Sequence, residues 1–425
     1  MHSKEISYYS VNSAFIKLKE HAKIIPCSES VHVLDAYKRV LAEDVISKFG
    51  VPRYNSSHMD GFAVRYDDIK NTSKSNPVTL KICNVQVSLE GIADFVLPRN
   101  HAYRISTGSS LPKGSNTVVP IENVNIVKGS NYEMVQIPSS IQKGSFVYPA
   151  CMDIRKGERV LLKGTVLRAQ DIGILTFMHV FQVPVFKKPT VALIPTGDEL
   201  TDILENTRSD KIPNIHSHII SWLVEEIGGT AIDLGVTPDK LTAIENKIKN
   251  AFAIADLILT IGGSSVGEHD LVKKAIKSTN ARGVIAFGIK LDRGRVTGLA
   301  VLNGKPIIIL PGPIQGAINA FIVFAFPLLR LISGRSEKRS ELTVCATLSD
   351  NWEARMRFPN FTKIVYVKLF KIRTQNKFVA RPLMGETESM ALLAKCNGYL
   401  IVPQHITNMS KGQTVQVNLM PGFSY

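Results

Sequence analysis

The chain has 425 residues, 44% apolar and 20% charged, which excludes a disordered or fibrous protein and leaves length for about three globular domains. A formal net charge of +15 invites a nucleic-acid partner, but the 51 basic residues are dispersed, with no long run and no aromatic–basic interleave. No nucleic acid is therefore expected, and an anionic small substrate accounts for the balance equally well.

Taken in chain order, residues 1–21 show no apolar core of signal-peptide length, and a helix is expected over 11–22. Residues 51–149 then carry short runs of β-formers (VTLKICNVQVSLEG, HAYRIST, YEMVQI) between Gly, Pro, Asn and Ser. From 189 the pattern becomes strand–helix–strand: VALIPTG, HSHIISWLVEEIGG, TAIDLGV, DKLTAIENKIKNAFAIA, DLILTIGG, PIIILPG. Such alternation implies a doubly wound, mostly parallel sheet covered on both faces. Residues 317–332 (AINAFIVFAFPLLRLI) tempt a membrane reading, yet they fall short of the roughly 20 residues a span needs and hold Asn319, Pro327 and Arg330. A buried core helix, with no membrane, is expected. Beyond 341, LTVCATL, KIVYVKLFKI, KFVARPL, GYLIVP and TVQVNL describe a small all-β domain. The expected class is α/β multidomain. Residues 1–50 with 145–188 form a discontinuous helical, linking domain; 51–144 are β-rich, 189–335 α/β and 336–425 a C-terminal β-barrel. Cys27, Cys83, Cys151, Cys345 and Cys396 are odd in number and form no C-x-x-C, which fits a reducing cytoplasm.

Chemistry is expected where the α/β strands end, because open α/β sheets bind ligands beyond their C-terminal strand edges. Residues 256–274 (DLILTIGGSSVGEHDLVKK) read as strand, small-residue turn and helix, so Gly262, Gly263, Ser264, Ser265 and Gly267 offer backbone N–H groups to a phosphate. The turn lacks G-x-G-x-x-G spacing, which argues against a dinucleotide-binding oxidoreductase. The other strand ends hold Glu199 (in TGDE), Asp239, Asp270 and Pro311-Gly312. Helix capping, worth about 1 kcal/mol, is an expected role for Asp239 and Asp270, each just before a helical pattern. It does not explain Glu199 or the gathering of acids. Two carboxylates about 4 Å apart repel by about 4 kcal/mol at an effective dielectric of 20. Such a cluster calls for a cation, most simply Mg²⁺ shared with a phosphate and held by Glu199, Asp239 and Asp270. The loops PRYNSSHMDGFAV and RISTGSSLPKGSNTVVPIE, taken alone, are ordinary turn chemistry.

Together these stretches carry a resemblance. SSHMDGFAV closely resembles the S-x-M-D-G-Y-A-V motif of the MoeA-type molybdopterin molybdenumtransferases, the family that includes the C-terminal domain of gephyrin. STGSSLPKG resembles its M-T-G-A-x-L-P-x-G, IPTGDEL its T-G-D-E-L and GGSSVGEHDLVK its G-G-x-S-V-G-x-x-D-x-x-K, while ILPG falls where the family has L-P-G-N-P. The motifs occur in the family's order. The resemblance implies a MogA-like α/β domain and an Mg²⁺-dependent transferase that inserts molybdenum into adenylylated molybdopterin and releases AMP. It also implies a homodimer, with a cleft shared between the α/β domain of one subunit and the β-rich region of the other, and contact with other cofactor-biosynthesis proteins. Carried over by motif, the site would hold Asp60, Thr107, Asp153, Glu199, Asp239 and Asp270, with Ser264, Ser265 and Gly267 on the phosphates. Thr387 falls near a family serine.

Several positions depart from the family pattern. Leu310-Pro311-Gly312-Pro313-Ile314 replaces L-P-G-N-P, and FGIKLDRGRV replaces a lysine-bearing run, with Gly288 and Asp292 at the two lysine positions in strict register. Lys290, Arg293 and Arg295 are therefore the candidate oxyanion and phosphate ligands. Asn116 stands where Asp is common, Cys151-Met152 where Gly-Glu is usual and Tyr366 near a usual Arg. The alternative reading is a paralogue that binds cofactor or partner proteins as a carrier or scaffold. Molybdate and tungstate, alike in charge and nearly in size, are equal candidates.

Overall fold

Along the strand Thr190–Pro195, Val191 and Leu193 enter one core while Ala192 and Ile194 enter another, as a sheet covered on both faces requires. The same split recurs at Leu257 and Leu259 against Ile258, and at Ile308 and Leu310 against Ile307 and Ile309. These near-continuous apolar runs form the centre of a six-stranded sheet. Its order is Thr230–Asp233, Thr190–Pro195, Leu257–Ile261, Lys305–Leu310, Gly298–Leu302, Val284–Phe287. The first four strands are parallel and the last two antiparallel. The computed structural model describes residues 8–83, 94–128, 133–202, 210–263, 270–279, 283–335, 343–354, 358–372 and 377–420.

One face of this sheet is covered by the helices Val11–His21, through Ala14 and Leu18, and Ile215–Glu226, through Ile220 and Val224. The long helix over Ile314–Ile332 joins them. It is apolar and long enough to cross a membrane, but 78% of its apolar window is buried within the protein, so its hydrophobicity is spent on the core. A π-helical stretch at Phe321–Ala325 precedes Pro327, whose missing N–H leaves no regular helical bond there. The opposite face takes Leu241–Ile254 and Leu271–Ser278, whose Ile244, Ile248, Val272 and Ile276 are fully buried. A doubly wound α/β domain results.

Five strands after residue 342 close into a barrel: Thr343–Leu348, Lys377–Pro382, Lys363–Ile372, Gly398–Val402 and Thr414–Leu419. Ile364, Tyr366 and Tyr399 of the barrel belong to the same hydrophobic cluster as the 314–332 helix. A small sheet of Ser28–His32, Gln182–Phe186 and Val40–Leu41 completes this compact unit.

Residues 43–163 with 173–180 form the second compact unit. Its six-stranded sheet runs Thr117–Pro120, Gly61–Val64, His101–Ile105, Val78–Cys83, Glu133–Ile137, Asn125–Lys128, antiparallel except between Val78–Cys83 and His101–Ile105. Phe62 and Val64 pack with Leu80, Val119 and Val135 on one side, Ala63 with Ile105 and Val118 on the other. All five cysteines are free thiols.

Candidate active site

Because four strands run parallel, their C-terminal ends share one edge, and backbone bonds tie these ends together. Thr196 N–H donates to Ile261 O at 2.9 Å, Gly197 N–H to Thr237 O at 3.1 Å and Gly262 N–H to Leu310 O at 3.2 Å. Gly262 and Gly263 both lie at positive φ (+83° and +62°). A Cβ on Gly263 would lie 2.4 Å from Thr196 Oγ1 and 2.9 Å from Val272 Cγ2, so only glycine lets the turn sit this close to the sheet. Ser264, Ser265 and Gly267 lie outside the described residues.

On this edge Asp198, Glu199 and Asp239 come together. Asp239 N–H donates to Asp198 Oδ1 at 3.1 Å, and the Glu199 carboxylate folds back over Gly197. Burial raises the Asp239 carboxyl above its ordinary value, and the negative charges of Asp198 and Glu199 add to this against an opposing backbone hydrogen bond from Asp198. Asp198, at the same strand end in the TGDE run, has no role of its own from the sequence. Capping, expected for both aspartates, holds for one only. Asp270 Oδ1 accepts Lys273 N–H at 2.9 Å, at the N-cap of Leu271–Ser278. Asp239 sits one residue too early: the helix Leu241–Ile254 has Lys240 at its N-cap, with no side-chain bond. The second oxygen of Asp270 is 3.3 Å from Lys273 Nζ, and the side chain is 2% exposed. Among the described residues no group of three or more His, Cys, Asp or Glu is arranged to hold a metal. Asp198 and Glu199 each place negative charge beside the Asp239 carboxyl. Magnesium needs only one or two carboxylates beside water and phosphate.

Beside the Pro311-Gly312 turn lies a cavity of about 370 Å³. Arg293, Arg295, Pro311 and Thr387, all expected at the site, line it together with Asp292 and Phe358. The 292–295 turn is thus part of the cavity wall and half-buried or buried throughout. Arg295 is half-buried with its guanidinium 5.2 Å from the Phe358 ring centre. Lys290 is not in the cavity lining; its backbone N–H donates to Tyr9 O and its carbonyl accepts from Thr362 N–H. Gly312 meets His216, which sequence reasoning missed. Burial lowers the His216 imidazole below its ordinary range, while Glu388 and a hydrogen bond with the Gly312 backbone oppose the shift. Gln315, Asn319 and Tyr366, also missed as site residues, form a buried polar network beneath the cavity.

In the β-rich unit, two residues 47 apart in sequence meet. Thr107 N–H and Oγ1–H both donate to Asp60 Oδ1, at 2.7 and 3.0 Å. These bonds, the backbone one first, hold the exposed Asp60 carboxyl below its ordinary value. Asp153 is exposed, with its N–H donating to Val51 O at 3.0 Å. Asn116 acts structurally: its Oδ1 accepts Tyr66 N–H at 2.8 Å.

Three family models match the chain in succession: the MoeA N-terminal region (domain I and II) over 9–178, a molybdopterin binding domain over 192–331 and the MoeA C-terminal region (domain IV) over 351–420. A molybdopterin molybdenumtransferase of Bacillus subtilis is 27% identical over 394 residues, covering 92% of this chain and 90% of the relative. One from a Nostoc species is 28% identical over 397 residues, covering 93% and 89%. Two crystal structures of a molybdopterin biosynthesis MoeA protein from Pyrococcus horikoshii superpose with TM-scores of 0.82 and 0.76 at 26% and 25% identity. They cover 98% and 97% of this chain and all of their own.

Proposed function

From the premise that this chain belongs to the MoeA-type molybdopterin molybdenumtransferase family, we infer that it is a molybdenum insertase. It transfers molybdenum from molybdate to adenylylated molybdopterin and releases AMP, with tungstate the other oxyanion to test. The observation that carries this reading is the division of charge on one unit: carboxylates at the ends of the Thr190–Pro195 and Thr230–Asp233 strands, and an arginine-lined cavity beside the end of Lys305–Leu310. A nucleotide phosphate with its cation and a free oxyanion ask for these two environments.

Glu199, Asp239 and Asp270 are proposed to hold Mg²⁺, with Asp198 beside them; when bound, the ion neutralises charge on the pyrophosphate and favours departure of AMP. Asp270 would contribute its carboxylate, whose second oxygen faces Lys273. Gly262, Gly263, Ser264, Ser265 and Gly267 are assigned to the phosphates, as backbone N–H and hydroxyl donors. Arg295, Pro311, Gly312 and Thr387 are assigned to the oxyanion side, with Arg293 in the wall of the same cavity and Lys290 as a further positive charge. Asp60, kept ionised by Thr107, and Asp153 are assigned to a site completed across a homodimer. A cytoplasmic location is proposed with these roles.

The test is incubation of the purified protein with adenylylated molybdopterin, Mg²⁺ and either oxyanion, following AMP. Asp239→Asn and Glu199→Gln should each lower AMP release by about 10²–10³-fold in a folded protein. Unchanged release in both variants removes the acids from the reaction. Mixed Asp60→Ala and Glu199→Ala subunits should regain activity on exchange. Exchange without recovery contradicts the shared site.

A further inference from the structure

Gln315 and Asn319 stand four residues apart on the helix Ile314–Ala320, hence on one face, and their exposures are 0% and 1%. Burying two amides is unfavourable unless their donors and acceptors are met, and here they are. Gln315 Oε1 accepts from Arg293 Nη1, and Gln315 Nε2 donates to the Glu386 carbonyl at 2.6 Å. Asn319 Nδ2 donates to the Asp292 carbonyl at 3.2 Å, while its Oδ1 accepts from the buried Tyr366 hydroxyl at 2.7 Å. Arg293 Nη2 donates in turn to the Gly385 carbonyl. The turn that opens the cavity wall is thereby tied both to a core helix and to the barrel. Backbone geometry reinforces the tie. Arg293 has φ of +52°, and a Cβ on Gly316 would lie 2.8 Å from the Arg293 carbonyl oxygen.

Arg295 differs from Arg293. Among the described residues nothing accepts a hydrogen bond from its guanidinium, which stacks on Phe358 and lines the cavity. A planar fork with its donors open is suited to an oxyanion; one already spent on an amide and a carbonyl is not.

We infer that Gln315 is a positioning residue for the oxyanion: with Asn319 it fixes the 292–295 turn, so that Arg293 is a strut and Arg295 presents its donors to the ligand. This rests on the reading of the cavity as the oxyanion site. Neutral apolar side chains would fill the same space, so the polar network serves to select one arrangement of the turn.

The experiment compares Gln315→Met, Arg293→Met, their double variant and Arg295→Met, with melting temperature as the check on folding. Binding of molybdate and tungstate is measured at two salt concentrations, and KM for each substrate from AMP release. Gln315→Met should weaken oxyanion binding about tenfold, raising the oxyanion KM and leaving the KM for adenylylated molybdopterin in place. The double variant should be no worse than the poorer single one, because both remove one shared bond. Arg295→Met should flatten the salt dependence, and Arg293→Met should weaken binding without flattening it. If Gln315→Met and Arg293→Met bind like the parent while Arg295→Met does not, the positioning role fails and the cavity reading stands. If Arg293→Met flattens the salt dependence as Arg295→Met does, the strut role fails. If Arg295→Met binds like the parent, the cavity reading itself falls. Should Gln315→Met not fold, Arg293→Met, which leaves the helix intact, carries the comparison.

Discussion

Replacing Gly263 by alanine tests the close seat of the Gly262-Gly263 turn on the sheet. Two costs add. At φ of +62° a Cβ strains the backbone by about 1–2 kcal/mol. The same atom would lie 2.4 Å from Thr196 Oγ1 and 2.9 Å from Val272 Cγ2, overpacking worth about 1–3 kcal/mol. Gly235→Ala supplies the control, since Gly235 is at φ +77° with nothing within 4 Å of the added Cβ. Urea titrations at unchanged m should therefore place Gly263→Ala about 1–3 kcal/mol below Gly235→Ala. Thr196→Ala removes the nearest atom, and that hydroxyl has no hydrogen-bond partner among the described residues. Combined with Gly263→Ala it should recover part of the loss. Equal costs for the two glycine variants would refute the packing argument, and with it the reason for glycine at 263.

Other outcomes follow from single interactions. Burial, then Asp198 and Glu199, raise the Asp239 carboxyl, so the folded state holds that proton more tightly than the unfolded state and stability falls as pH rises from the unfolded value through the raised folded one. Asp239→Asn should flatten the melting profile across that acid window and melt no lower than the parent at pH 7; an unchanged slope contradicts the assignment. Tyr366→Phe leaves the buried Asn319 Oδ1 without its hydroxyl donor and should cost about 1–3 kcal/mol in chemical denaturation. Cys396, pushed up to about 11 by burial, should react with a thiol reagent at pH 8 more slowly than the exposed Cys27 and Cys345, and the reverse order would show an open site.

Much of the fold was legible because its signals are local. The unbroken apolar runs VALIP and IIIL, the 3.6-residue spacing in 241–254 and the polar residues after each strand all report a doubly wound sheet before any long-range contact is known. The membrane-like stretch at 317–332 reads as core from Asn319, Pro327 and Arg330 and from its shortness. Burial bears out the core reading, but the helix Ile314–Ile332 is long enough to span, so length is no guide. Capping was legible at Asp270 but not at Asp239, where the helix begins two residues on, at Leu241. The polar network lay beyond sequence reasoning for a different reason. Arg293 meets Gln315 and Gly385 across 22 and 92 residues, and Asn319 meets Tyr366 across 47. An amide within a helix carries no local sign of what it will bond. His216 was hidden in the same way, since its partner Gly312 belongs to another strand end.

AMP release from adenylylated molybdopterin, measured with and without molybdate in the presence of Mg²⁺, tests the central claim most directly. The account expects release that depends on the oxyanion and falls about tenfold or more when Arg295 becomes Met at limiting molybdate. Release that is absent, or that proceeds equally without any oxyanion, would contradict it.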